Sequence, residues 1–177
     1  MFKVLETKEQ DKLESLEKLL NFIGKGSGII FCNLKSSIEI VSNFLHKKNI
    51  NHGCFSGDLE QLDRERSLIK FRNGTYKILV ATDLAARGID IPEMDFIIHY
   101  ELPKRPDEFI HRNGRTARMH SDGTAYILKW VNEELPIFIK NDEEITIESN
   151  KKLKNSNWST LHISGGRKDK ISKGDIA

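Results

Sequence analysis

The chain has 177 residues, 38% hydrophobic and 31% charged, with a formal net charge of +2. That length suits one domain of ordinary size plus an appendage, and no apolar run approaches the ~20 residues of a membrane span. The two cysteines, Cys32 and Cys54, make no CxxC pair and sit near no cluster of histidines, which argues against a disulfide framework or a structural metal site.

Residues 9–23 carry Leu13, Leu16, Leu19, Leu20 and Ile23 at helical spacing, and "GKGSG" ends that helix. "IIFCN" (29–33) is a continuous apolar run, as in a strand buried on both faces. Ser36 to His46 reads as a helix with Ile38, Val41, Phe44 and Leu45 turned inward. "HGCFS" (52–56) reads as a short strand, and Leu59 to Phe71 as a charged helix stopped by Asn73-Gly74. "KILVA" (77–81) and "FIIHY" (96–100) are two more buried strands. A helix entered at Pro106 then runs through "HRNGRTAR" (111–118), followed by the strand "TAYILKW" (124–130) and a helix near 131–140, short or kinked at Pro136. Strands alternating with helices over about 130 residues predict an α/β fold: a mainly parallel sheet with helices on both faces. The polar stretch 149–157 reads as a linker.

Charge is unevenly placed. Residues 149–177 hold seven Lys/Arg and two Asp, net +5, whereas residues 1–148 are net −3. A basic tail on a near-neutral body suits a polyanionic partner. The opening segment mixes acids with bases from the start and lacks a signal-peptide profile, so a cytoplasmic protein is expected, with no membrane partner.

In a parallel sheet, ligands bind beyond the carboxyl ends of the strands. The loops expected there are 33–37, 56–61, 82–90 and 101–106. Thr82 and Asp83 sit at a strand end, Gly88 permits close backbone approach, and Asp90 offers a carboxylate for hydroxyls or an internal ion pair. Between His111 and His120 there is no acid at all, yet Arg112, Arg115 and Arg118 recur every three residues. On a helix of about 100° per residue, His111, Arg115 and Arg118 share one face. Arginine is suited to bidentate contact with phosphate.

These stretches together resemble a family. "ATDLAARGID" (81–90) resembles motif V and "HRNGRTAR" motif VI of superfamily 2 DEAD-box RNA helicases. "IIFCN" is similar to motif IV, and "SGDLEQLDRERSLIKFRNG" (56–74) to the segment between them. Order and spacing agree over residues 5 to 140. The resemblance implies the second, C-terminal RecA-like domain of a helicase core. It implies that Arg115 and Arg118 contact the γ-phosphate of ATP, with Arg118 the arginine finger, and that Asp90 and the backbone at Gly88 meet the nucleotide. Arg64, Thr82, Gly57 and Asn33 are implied to hold RNA. His111 and Arg87 are implied to join this domain to the first one. On this reading the arginines lack acids because a triphosphate supplies their counter-charge. Three departures stand out: the family usually has Ile where Asn113 stands, Gly where Ala117 stands and Thr where Leu34 stands.

"WSTLHISGGRKDKISKGDIA" (158–177) is similar to the opening of the RNA-recognition-like C-terminal domain of DbpA-type bacterial helicases, which implies large-subunit ribosomal RNA as a target and a role in ribosome biogenesis. The expected division is therefore residues 1–140 as helicase C-terminal domain, 141–157 as linker and 158–177 as the start of an RNA-binding domain. The chain holds no GxxxxGK[ST] and no DEAD tetrapeptide. The expectation is half of an ATP hydrolase that uses ATP with Mg²⁺ when joined to its N-terminal RecA-like domain, the isolated piece being inactive and holding no cofactor stably. Two alternatives remain open: a non-catalytic RNA-binding module, and a DNA-directed superfamily 2 motor.

Overall fold

Strand β2 (Gly28–Cys32) is buried from end to end in the computed structural model of the chain, which describes residues 2–8, 11–57, 60–86, 94–116, 123–140, 142–147, 153–161 and 163. Its alternate side chains enter different cores. Ile30 and Cys32 pack with Leu16, Leu19 and Leu20 of α1 (Leu13–Ile23) and with Ile38, Val41 and Leu45 of α2 (Lys35–Lys47). Ile29 and Phe31 pack on the other side with Phe71 of α3 (Gln61–Arg72) and with Ala85 and Ala86 of α4 (Asp83–Ala86). A strand whose two faces are both covered has no polar side to show, which is why its sequence is an unbroken apolar run. The helices lie on both faces, as the alternation of elements predicts.

The sheet has seven strands in the order β3-β4-β2-β5-β6-β1-β7. These are β1 (Phe2–Thr7), β2, β3 (Gly53–Phe55), β4 (Ile78–Thr82), β5 (Phe96–His99), β6 (Thr124–Trp130) and β7 (Asp142–Glu144), and every pairing between them is parallel. All strand carboxyl ends therefore emerge at one edge. Lys12, just before α1, ties part of that edge together: its buried Nζ donates to the carbonyls of Leu128 (2.9 Å) and Tyr100 (3.4 Å) and pairs with Glu133 at 2.6 Å.

Local signals explain the helix ends. The Asp11 carboxylate accepts from the Leu13 N–H at 3.1 Å, satisfying one of the open donors of α1. Gly24 closes α1 in the left-handed region at φ 69°, a conformation glycine adopts without a Cβ penalty. Helix α5 (Pro106–Asn113) starts on proline, and Glu108 reaches back to accept from the Lys104 N–H at 3.0 Å.

Three expectations are corrected. The helix expected near 131–140 is absent: the segment turns, with the Ile139 N–H donating to the Pro136 carbonyl, while Leu135, Phe138 and Ile139 pack against Val4, Phe109 and Ile127. Pro136 has no N–H for a helical ladder, and scattered anchoring replaces it. The arginine helix stops at Asn113, five residues short of Arg118, and Arg115 sits in the following turn. Gly114 there has φ −61°, and a Cβ would stand 3.3 Å from the Ile110 carbonyl oxygen, so local crowding rather than an open face accounts for glycine. Finally, β1 and β7 were not anticipated from sequence, and β7 pairs with β1 at residues 142–144, beyond the expected end of the domain at 140.

Candidate functional site

The carboxyl ends of β2, β4 and β5 converge on one side chain. Arg112, in the last turn of α5, is 1% exposed. Its Nε donates to Asp83 Oδ1 at 2.9 Å and its Nη2 to Asp83 Oδ2 at 2.6 Å. Nη2 also donates to Asn33 Oδ1 at 2.7 Å, and Nη1 to the Glu101 carbonyl at 2.8 Å. The guanidinium lies over the Phe31 ring, 5.1 Å from its centroid. A buried arginine needs this much satisfaction, because desolvating a guanidinium without compensation costs several kcal/mol.

The reading that a triphosphate supplies the counter-charge of the motif VI arginines is thus corrected for Arg112. Its partner is Asp83, 29 residues earlier, a residue noted in the sequence only for its place at a strand end. Arg112, Asp83, His99 and Glu101 are the members of this site that sequence reasoning missed. One signal was available: Arg112 falls off the face shared by His111 and Arg115, on the side of Phe109, which is 7% exposed.

Asn33 sits at the end of β2, as expected, but both ends of its side chain are engaged. Its Oδ1 accepts from Arg112, and its Nδ2 donates to the Leu102 carbonyl at 2.9 Å. Its backbone N–H donates to the Glu101 carboxylate, which also accepts from Ser37 Oγ at 2.8 Å. Leu34 beside it is 57% exposed.

Arg115 and His111 line one small cleft with Phe31, Asp83, Ala86 and Arg112. Arg115 Nη2 donates to the Ala86 carbonyl at 3.3 Å. Its backbone is held on both sides: its N–H donates to the Arg112 carbonyl at 3.1 Å, and its own carbonyl accepts from the Met94 N–H at 3.2 Å. Arg115 is therefore carried at the sheet's carboxyl edge by a turn anchored on buried Arg112. Arg87, Gly88, Asp90 and Arg118 lie outside the described residues.

A second group gathers at the ends of β3 and β4. Thr82 closes β4 and α4 follows at once. Arg64 of α3 reaches across to donate to the Ala85 carbonyl at 3.3 Å and covers the Phe55 ring at 5.4 Å. Gly57 is placed so that a Cβ there would stand 3.7 Å from Leu84 Cδ2. Gly57, Arg64 and the Thr82–Ala86 turn are neighbours in space, though 25 residues separate the first from Thr82. Among the described residues, no three His, Cys, Asp or Glu side chains group as metal ligands.

An all-parallel, doubly covered sheet with an arginine turn at its carboxyl edge defines a RecA-like domain of the kind that nucleic-acid motors use. A family model described as the helicase conserved C-terminal domain matches residues 11–120, and the chain belongs to that family. It is 35% identical over 179 residues to the ATP-dependent RNA helicase DbpA of Escherichia coli K12, covering 97% of this chain and 39% of DbpA. It is 42% identical over 122 residues to DEAD-box ATP-dependent RNA helicase 21 of Oryza sativa, covering 69% of this chain and 17% of that protein. The chain thus spans well under half the length of these relatives. Among solved structures, E. coli DEAD-box protein SrmB bound to the regulator of ribonuclease activity A superposes with a TM-score of 0.76 at 26% identity, covering 90% of this chain and 97% of that one. The C-terminal domain of the DEAD-box protein Dbp5 gives 0.69 at 32% identity, covering 74% and 77%. Saccharomyces cerevisiae Dbp5 bound to RNA and ADP BeF3 gives 0.67 at 32% identity, covering 72% and 34%.

Proposed function

We propose that this chain is the RNA- and ATP-contacting C-terminal half of an ATP-dependent RNA helicase of DbpA type, acting on large-subunit ribosomal RNA in the cytoplasm. The observation that carries this reading is the meeting, at one sheet edge, of the Arg115 turn with the Thr82–Ala86 segment and Arg64. Arg115 and Arg118 would face the γ-phosphate of an ATP held mainly by a preceding P-loop domain, with Asp90 and Gly88 near its ribose and His111 and Arg87 at the join. Preorganised positive charge placed where phosphoryl charge develops stabilises the transition state without reorganisation at the moment of reaction. Mg²⁺ would come with the ATP, on carboxylates of that other domain. Arg64, Thr82 and the Gly57 backbone would hold RNA phosphates, while Asn33 would act through Arg112.

The DbpA-type assignment is supported by the extent of the match to E. coli DbpA. Coverage of 97% of the chain has to include most of residues 158–177. The division proposed is a helicase C-terminal domain over 1–140, whose sheet β7 extends to residue 144, a linker to 157 and the start of an RNA-binding domain over 158–177. Among the described residues, no helix is long and apolar enough to cross a membrane.

The test is RNA-stimulated ATP hydrolysis by this chain alone and joined to its P-loop domain. Turnover only in the joined protein, stimulated by RNA over DNA of the same sequence, is the expected result. Turnover by neither, with RNA binding retained, would make the chain a non-catalytic RNA-binding module. Equal stimulation by DNA would point to a DNA-directed motor.

A further inference from the structure

Asn113 puts an amide where the resembled family usually packs an isoleucine, and the structure shows what receives it. His99, the last residue of β5, is 0% exposed. Its Nε2 lies 3.2 Å from Asn113 Oδ1, and its Nδ1 lies 3.4 Å from Arg112 Nη1. Its ring is flanked by Phe31 and Phe109, with centroids at 6.5 and 5.4 Å.

A guanidinium can only donate, so Nδ1 must accept. The ring proton of a neutral imidazole then sits on Nε2, aimed at the Asn113 carbonyl oxygen. Burial first, and the Arg112 charge second, lower the His99 pKa to about 3 and keep the ring neutral. Two weaker influences oppose this, the hydrogen bond with Asn113 and the charge of Asp83, whose carboxylate is already paired with Arg112.

Asn113 is the last residue of α5, two positions before Arg115. Its carbonyl accepts from both the N–H and the hydroxyl of Thr116, at 3.0 Å each. Fixing Asn113 therefore fixes both ends of the turn that carries Arg115. An apolar residue at 99 would leave the half-buried Asn113 amide without its partner. An apolar residue at 113 would leave the fully buried His99 Nε2–H without an acceptor. That buried orphan costs more than the hydrogen bond contributes.

We propose that His99 and Asn113 form a single positioning unit, a polar replacement for an apolar seat, which sets the Arg115 turn against its phosphate. This rests on the reading of Arg115 given above, and the two parts of the test separate the claims.

In the 177-residue chain, ¹⁵N NMR at neutral pH should show His99 unprotonated at Nδ1 and protonated at Nε2, in slow exchange with solvent. In the protein joined to its P-loop domain, His99→Leu and Asn113→Ile should each lower kcat for RNA-stimulated ATP hydrolysis about tenfold, with KM for ATP within about twofold. His99→Gln keeps an N–H donor near the same place and should recover most of that loss. The double variant His99→Leu/Asn113→Ile should exceed either single variant. An Nδ1–H or charged ring would overturn the unit whatever the enzyme does. So would multiplicative losses in the double variant, or single variants indistinguishable from wild type. Absence of turnover in the wild-type joined protein would instead strike the functional reading; equilibrium unfolding of the same four chains would then decide the unit. Recovery of stability in the double variant supports it, and additive destabilisation overturns it.

Discussion

Arg112 and Asp83 form a two-pronged ion pair, 2.9 and 2.6 Å, in which the arginine side chain is 0% exposed and the aspartate 18%. The asymmetry in burial predicts an asymmetry in mutational cost. Removing one partner of a buried pair costs about 3–5 kcal/mol, because the other charge stays behind without compensation. Asp83→Ala strands a fully buried cation and belongs at the upper end. Arg112→Met strands a carboxylate that can still reach water and belongs at the lower end. The double variant should cost less than the two together. Urea unfolding of the four chains measures this: additive costs would show that the pair is not coupled, and equal single costs that burial does not set the asymmetry.

His99 makes stability depend on acid. Its folded pKa lies at about 3, below the ordinary value of 6.5, so the neutral ring is the form that fits. Between these values the unfolded chain binds a proton that the folded chain excludes. Stability therefore falls as pH drops from about 6.5 toward 3, with a slope of at most about 1.4 kcal/mol per pH unit from this one group. Burial also lowers the pKa of His52, which adds in the same direction. His99→Gln should lessen the slope by up to one proton while leaving the His52 part. An unchanged slope in denaturation midpoints across pH 4–6 would place the proton uptake elsewhere.

Arg64 stands on its own. It is held by the Ala85 carbonyl and the Phe55 ring, with no ion pair to an acid among the described residues, beside the edge formed by Thr82 and Gly57. Arg64→Ala should weaken RNA binding across sequences without changing their order, since a phosphate contact carries no base information. It should also flatten the dependence of log K on log salt by about 0.7, the share of one phosphate on a single strand. Binding titrations at several salt concentrations test both. A loss confined to some sequences would assign Arg64 to a base.

The elements legible in the sequence are those whose own side chains report burial. "IIFCN" and "KILVA" are apolar because both faces are covered, and α1 and α2 show helical spacing because one face is. Strand β7, "DEE", carries no such signal: it is held by backbone pairing to β1 at the sheet's edge, where side chains are free to be acidic. The segment 131–140 was expected as a helix, short or kinked at Pro136; it forms turns instead, which bury Ile139 and half-bury Leu135 and Phe138 against the body. At the site, spacing set Arg115 on one face with His111, and the resemblance supplied Arg64. Spacing set Arg112 off that face, on the side of Phe109, but could not name its acid, which α4 supplies from 29 residues earlier. Long-range pairing of one charge with one counter-charge leaves no periodic trace.

Residues 141–157 were expected as a linker and 158–177 as the start of an RNA-binding domain; the described part from Leu153 to Thr160 is bonded to the body at three places. The Leu153 N–H donates to Asn21 Oδ1 at 2.8 Å, in the last turn of α1, and the Leu153 side chain packs on the α1–α2 core. Asn155 accepts from the Asn51 N–H at 2.9 Å and donates to the Asn49 carbonyl at 2.6 Å, in the connection from α2 to β3. The Thr160 hydroxyl meets Thr75 Oγ1 at 2.7 Å, in the connection from α3 to β4. Both connections enter the sheet at the amino ends of their strands, and Asn21 lies in the last turn of α1, just ahead of β2, so the anchors are opposite the edge that carries Arg112 and Arg115. Residues 153–160 thus strap the far side of the domain, and they should contribute stability without touching the phosphate edge. Asn155→Ala removes two partly solvated hydrogen bonds and should cost about 1 kcal/mol. Leu153→Ala removes a half-buried side chain and should cost about 1–2 kcal/mol, below the range for a fully buried leucine. Tryptic cleavage after Lys154, which is exposed but lies inside the strap, should be slow in the wild-type chain and several-fold faster in either variant, because a protease needs the local backbone released. RNA-stimulated hydrolysis in the joined protein should be unchanged by Asn155→Ala. Ending the chain at residue 152 should lower the melting temperature by several degrees; a shift below about 1 °C, with wild-type cleavage after Lys154 already fast, would show that the strap rests on the domain without holding it.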